Sequence, residues 1–211
     1  MKKVGKQHGY KFEAEIGSSL QRFGHMMGSD ANENPHFFYN KLVDTKLFDF
    51  FIRCDKCGSR VKHNLIIPKT LGDFYCAMQK GISWFLECKS SEQSSFPIQN
   101  IESHQLMFAR TLERIGVPYW FIFCDKSREG EKRRAFALSG LWTLQLIVKM
   151  EDELRRKSIP WPYIHEQGIE LRWLGHGLWS MEDLFGEPET VLKQAGITRK
   201  VDDVGSSGTP S

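Results

Sequence analysis

The chain has 211 residues, 40% hydrophobic and 26% charged, enough for one globular domain with a sizeable core, which excludes a disordered or fibrous protein. No apolar run approaches the roughly 18 residues of a helical membrane span, and the basic start Met1-Lys2-Lys3 lacks the apolar stretch of a secretory signal, so a cytoplasmic protein without a membrane partner is expected. Five cysteines, an odd number, argue against a secreted disulfide framework, and a net charge of +3 is compatible with a polyanionic partner without requiring one.

Residues 1–9 are expected to be loose, and Tyr10 to Phe23 reads as a helix, with Phe12, Ile16, Leu20 and Phe23 on one face and Glu13 early in it. Gly28 to Pro35 is a polar loop, Phe37 to Leu42 a candidate strand, and Leu47 to Ile52 a short apolar run. Cys54 to Lys62 reads as a turn-rich knuckle. Ile82, Trp84 and Leu86 alternate with Ser83, Phe85 and Glu87, the pattern of a strand, and Gly72 and Gly81 supply turn points. Asp73 to Lys89 is therefore expected to be a β-hairpin. After a polar loop, a helix capped by Asn100 or Ser103 runs to about Ile115 and ends at Gly116. Pro118 to Cys124 is wholly apolar, as in the middle of a sheet. A basic turn leads to a strand at Ala135 to Leu138, then a helix at Leu141 to Lys157 and a short strand at Ile169 to Trp173. Residues 199–211 have almost nothing to bury and are expected to be a disordered tail. The order implies one α/β domain over residues 1–198, a mixed central sheet flanked by helices, with a cysteine-bearing insertion at 53–63.

The hairpin carries the chemistry. Its fold would bring Asp73 beside Glu87, and alternation puts Glu87 and Lys89 on one face. Two carboxylates suit a hard divalent cation such as Mg²⁺ or Mn²⁺. Phosphodiester hydrolysis needs a cation to polarise the phosphate, positive charge to offset what builds on its oxygens, and a water held in line. Lys89 would supply the charge or position the water. Gln105, on the next helix, would orient a water or phosphate, and Glu13 would add a third carboxylate. An Asp followed by Glu-x-Lys is a common coincidence by itself, but charged residues ending a buried strand usually have a reason. Basic residues cluster at Lys126 to Arg134, at Arg155 to Lys157 and near the N-terminus. Each cluster alone reads as a solvated face; beside a nuclease site, Lys11, Arg133 and Arg134 become candidate DNA contacts.

The Asp73 … Glu87-x-Lys89 pattern resembles the PD-(D/E)xK nuclease superfamily. The longer stretch Phe85-Leu86-Glu87-Cys88-Lys89, then Ser95-Phe96-Pro97-Ile98-Gln99-Asn100, then His104-Gln105, is similar to RecU-type Holliday junction resolvases and their phage relatives. Gly9-Tyr10-Lys11-Phe12-Glu13 resembles the opening of that family, and Ile159-Pro160 with Glu166 to Ile169 resembles its C-terminal part more loosely. The resemblance implies a restriction-endonuclease-like fold and a homodimer that nicks four-way DNA junctions in pairs with Mg²⁺. It makes Asp73 and Glu87 metal ligands, Lys89 the catalytic lysine, and Glu13 and Gln105 supporting residues. Thr70 matches a family threonine at different spacing, and Arg53 to His63 departs from the family where its junction-inserted stalk would lie. Alternatives are another endonuclease of the superfamily, of restriction or repair type, and a DNA-binding protein without catalysis.

Cys54-Asp55-Lys56-Cys57 has the shape of half a zinc site, which His63, Cys76 or a symmetry-related pair would have to complete; two plain thiols are the simpler reading. Cys88 and Cys124 are expected to be buried, inert thiols. His104 reads as a helix-surface residue, and Trp161, Trp173 and Trp179 as core rather than base-stacking groups.

Overall fold

The computed structural model describes residues 5–29, 35–42, 48–53, 60–65, 71–78, 83–127 and 133–186. Thr70, Gly81, Arg128, Lys132, the cysteines at 54 and 57 and the expected tail at 199–211 lie outside the described residues.

Helix α1 (Gly5–Met27) exceeds its expected span at both ends. Its buried stripe of Phe12, Ile16, Leu20 and Phe23 continues to Met27, and Gly28 at φ 74° ends it in the left-handed conformation. Strand β1 (Phe37–Lys41) follows. Strands β2 (Phe48–Arg53) and β3 (Arg60–Leu65) pair antiparallel, from Phe48 opposite Leu65 to Arg53 opposite Arg60. The expected knuckle therefore gives way to regular strand from Arg60.

The acidic hairpin forms as read. Strand β4 (Phe74–Met78) pairs antiparallel with β5 (Ser83–Ser91), Phe74 opposite Leu86. A short strand β6 (Ser95–Pro97) leads to α2 (Ser103–Arg114). The cap of α2 is Glu102, not Asn100 or Ser103: Glu102 and Gln105 form a reciprocal capping box, the Gln105 side chain accepting from the Glu102 N–H at 2.9 Å. Gly116 closes the helix at φ 81°.

Strand β7 (Tyr119–Asp125) runs parallel to β5, and β8 (Arg134–Ser139) runs antiparallel to β7. Helix α3 (Gly140–Val148) is shorter than expected. A wider, π-type turn at Lys149–Glu153 follows, and Arg155 at φ 51° reverses the chain, so the basic run Arg155 to Lys157 lies off the helix. The chain is drawn away because β9 (Ser158–Pro160) pairs with β6. Then come α4 (Trp161–Gln167), β10 (Ile169–Leu171), the hairpin β11 (Trp173–Gly175) and β12 (Leu178–Trp179), and α5 (Glu182–Phe185). The single strand expected at Ile169 to Trp173 is split, since β10 joins the main sheet and Trp173 pairs with Trp179.

Among the described residues the main sheet has the order β1-β4-β5-β7-β8-β10, in which β5 and β7 run parallel and the other neighbours antiparallel. Alternation sorts its side chains into two cores. Trp84, Leu86, Ile122, Cys124, Ala135 and Ala137 pack with α1; Phe85, Phe121, Phe123, Phe136 and Leu138 pack with α2, α3 and α4. The unbroken apolar runs of β7 and β8 follow from burial on both faces. The protein is α/β with a mixed central sheet between helices. Among the described residues no helix is long and apolar enough to cross a membrane.

Candidate active site

The site forms where the sheet opens. Strand β5 pairs with β7 as far as Ser91, but β4 stops at Phe74, opposite Leu86. Beyond that point, among the described residues, no strand pairs with the β4-side edge of β5. Asp73 fills the gap: its N–H donates to the Leu86 carbonyl at 2.8 Å, and its Oδ2 accepts from the Cys88 N–H at 2.6 Å. A carboxylate thus takes the position a strand backbone would hold, and the main chain fixes it. Gly72 is required by close approach, because a Cβ there would lie 2.9 Å from the Leu86 carbonyl oxygen.

Glu87 and Lys89 stand on one face of β5, as alternation predicts, with Lys89 Nζ 2.7 Å from Glu87 Oε1. Gln105 Nε2 donates to the same oxygen at 2.5 Å. The capping box that starts α2 therefore also holds Gln105 against Glu87. Glu13 approaches from α1, and its Oε1 lies 2.9 Å from Lys41 Nζ on β1.

Charge is concentrated here. Burial, and next the charge of Glu87, push the Asp73 carboxyl up to about 7; Glu13 adds to the rise, while the Cys88 N–H and Lys89 oppose it. Lys41 is held above the usual lysine range, chiefly by its hydrogen bond to Glu13. The Cys88 thiol is pushed well up by burial and by the surrounding carboxylates, which makes it inert. A half-buried Asp73 whose proton affinity is raised beside the buried Glu87 carboxylate is a site that a divalent cation would relieve. Among the described residues no group of three or more His, Cys, Asp and Glu side chains is drawn together tightly enough to hold a metal ion. Two carboxylates with water and substrate completing the shell suit magnesium, which keeps several waters and is commonly held by one or two carboxylates.

Of the expected residues, Asp73, Glu87, Lys89 and Gln105 converge, and Glu13 stands beside them through Lys41. Among the candidate DNA contacts, Lys11 is exposed on α1. Arg133 instead clasps the buried Glu15 with bonds of 2.9 and 3.1 Å and lies 5.0 Å over the Trp173 ring. Arg134 is doubly bonded to Glu170 at 2.8 and 2.9 Å. The zinc reading of Cys54 and Cys57 falls outside the described residues. Cys76, Cys88 and Cys124 are free thiols, with Cys124 pushed up to about 12 by burial. Trp161 and Trp179 are core residues, and Trp173 packs on Trp179 at 4.8 Å.

Sequence reasoning missed Lys41 and Tyr119. Lys41 enters through the pairing of β1 with β4, where it lies opposite Phe74. Tyr119 reads as one more apolar member of β7, yet its buried hydroxyl comes under the influence of Glu87 and Asp73. Neither carries a local signal. No protein-family model matches the chain, and no curated protein matches it either.

Proposed function

We propose that the protein is a Mg²⁺-dependent endodeoxyribonuclease of restriction-endonuclease-like fold, and more narrowly a homodimeric enzyme that nicks four-way DNA junctions in the cytoplasm; Mn²⁺ would serve as well. The observation that carries this reading is the convergence of Asp73, Glu87 and Lys89 at the opened edge of β5, with Gln105 locked onto Glu87. The junction-resolving form rests on the resemblance of Phe85 to Gln105 to RecU-type enzymes.

Asp73 and Glu87 would hold the cation, which would supply Lewis-acid polarisation of the scissile phosphate. Lys89 would bring an ammonium charge against oxygens that gain negative charge in the transition state. Its bond to Glu87 keeps it in place beforehand, so little reorganisation is needed. Gln105 keeps Glu87 in a single orientation. The Cys88 N–H does the same for Asp73, and such preorganisation is what makes electrostatic catalysis effective.

The test uses a labelled four-way junction and a linear duplex of the same sequence, with Mg²⁺ or with EDTA. Wild type should cut the junction only with the metal and leave the duplex largely intact. Asp73→Asn and Glu87→Gln should each lose cleavage by roughly 100-fold or more, while still binding the junction. Equal cutting of both DNAs would remove the junction reading alone. Full activity in either variant would remove the site.

A further inference from the structure

Among the described residues β1 is the outermost strand of the main sheet, and Lys41 ends it opposite Phe74. The next residue, Leu42, donates its N–H to the Asp73 carbonyl at 2.7 Å, so Lys41 stands at the lip of the opening that Asp73 fills. Phe37 and Tyr39 turn into the core beneath α1, and alternation puts Lys41 on that same face. Its ammonium meets Glu13 of α1 there, at 2.9 Å. Glu87 and Lys89 alternate instead with Phe85, on the face covered by α2. The two lysines therefore reach the Asp73 opening from opposite faces of the sheet.

A lysine on an outer strand often does no more than keep other chains from pairing with that edge. Such a lysine extends into water, whereas Lys41 turns back to a carboxylate on the helix above it. The pair is lopsided: the Lys41 side chain is 55% exposed and that of Glu13 only 16%. An ammonium has three donors, and the contact with one oxygen of Glu13 engages one, which leaves two for an incoming acceptor. An ion pair so open to water is weakly held, so the ammonium can exchange Glu13 for another anion at little cost. Lys89 has no such freedom, being 13% exposed and bonded to Glu87. The carboxylates of Asp73, Glu87 and Glu13 would repel a phosphodiester drawn across the opening, and Lys41 is the cation at its mouth that offsets them.

We infer that Lys41 is a substrate-binding residue of this site, whose ammonium leaves Glu13 to take a DNA backbone phosphate flanking the one that is cut. This rests on the nuclease reading of Asp73, Glu87 and Lys89 given above.

The experiment measures binding of a labelled four-way junction in MgCl₂ by fluorescence anisotropy, from about 50 to about 200 mM NaCl. Full-length protein carrying Glu87→Gln is used, so that the DNA stays whole. Each phosphate contact contributes about 0.9 to the slope of log affinity against log salt. Adding Lys41→Gln should lower the slope by about that much and weaken binding several-fold at the low-salt end, and Lys41→Arg should restore both. Junctions with single uncharged methylphosphonates, moved stepwise from the cut point mapped with wild type, then locate the contact. At one position the neutral group should weaken binding by the Lys41 protein and leave the Lys41→Gln protein unaffected. A lysine that only blunts the strand edge or steadies Glu13 would change melting or solubility and leave the slope as it was, which overturns the inference. A lower slope with no such methylphosphonate position is a general charge effect and overturns it too. Should wild type fail to cut DNA in Mg²⁺, the nuclease reading falls and this inference with it. Metal-dependent cutting by wild type, with an unchanged slope in Lys41→Gln, removes Lys41 alone.

Discussion

Asp73 sits where its charge is least welcome. It is half-buried, faces Glu87, and keeps its proton to about pH 7, against 3.8 for an ordinary aspartate. The native state therefore binds this proton more tightly than the unfolded chain. Where the folded-state value is the higher one, stability falls as pH rises between the two, from about 4 to about 7, and is then level. Asp73→Asn removes the charge while its amide oxygen can still accept from the Cys88 N–H. In EDTA the variant should thus melt above wild type at pH 8, and the difference should shrink as the pH is lowered to 5. Melting curves across that range decide it: an Asp73→Asn protein no more stable than wild type at pH 8 would show that the pocket tolerates the carboxylate. The same buried charge is what a cation would find attractive.

At the scale of the elements, the legible parts of the molecule were those governed by local pattern. Alternation through Trp84 and Leu86 into Glu87 and Lys89 revealed β5 and the face its charged residues share, and the apolar run from Tyr119 to Cys124 revealed a strand covered on both sides. Element ends and non-local partners were not legible. The helix after Gly140 stops early because β9 is claimed by β6, and no residue between Leu141 and Lys157 announces that pairing. Lys41 joins the site through strand order, and the cap at Glu102 lacks the small polar side chain that makes Asn100 and Ser103 read as caps. That cap matters beyond the helix, since Gln105 serves both the box and Glu87. Gln105→Ala should lose the box, at about 1 kcal/mol of stability, and also leave Glu87 with one donor fewer. Gln105→Glu should keep an acceptor for the Glu102 N–H while setting a second carboxylate against Glu87. Urea denaturation and junction cleavage, measured together, are expected to separate the two at neutral pH. Both variants should cut poorly, and Gln105→Glu should also lose stability beyond the value of the cap. Cleavage at the wild-type rate in Gln105→Ala would confine Gln105 to a capping role.

Across the whole molecule, a buried polar clasp joins parts of the chain that are far apart in sequence. Glu15 on α1 takes two bonds from Arg133 at the entry to β8, and lies 3.4 Å from the Trp179 indole nitrogen on β12. Ser19, one turn on, accepts from the Trp179 N–H at 2.9 Å. The clasp fixes α1 against the far side of the sheet, and α1 is the helix that presents Glu13 to the site. Arg133 thus has two competing readings. As a phosphate contact, its loss would weaken DNA binding and leave the fold alone. As the counter-charge of Glu15, its loss would strand a carboxylate that is only 7% exposed. Breaking a buried pair costs about 3–5 kcal/mol; Arg133 is 29% exposed, so water can partly replace it and roughly 2 kcal/mol is the reasonable figure. Arg133→Ala should therefore lower stability by that amount, and Glu15→Gln in the same background should recover part of it by removing the stranded charge. A double-mutant cycle by chemical denaturation measures this directly. Additive losses would mean that Glu15 and Arg133 do not support one another. A stable Arg133→Ala protein with weakened junction binding would return the arginine to the DNA.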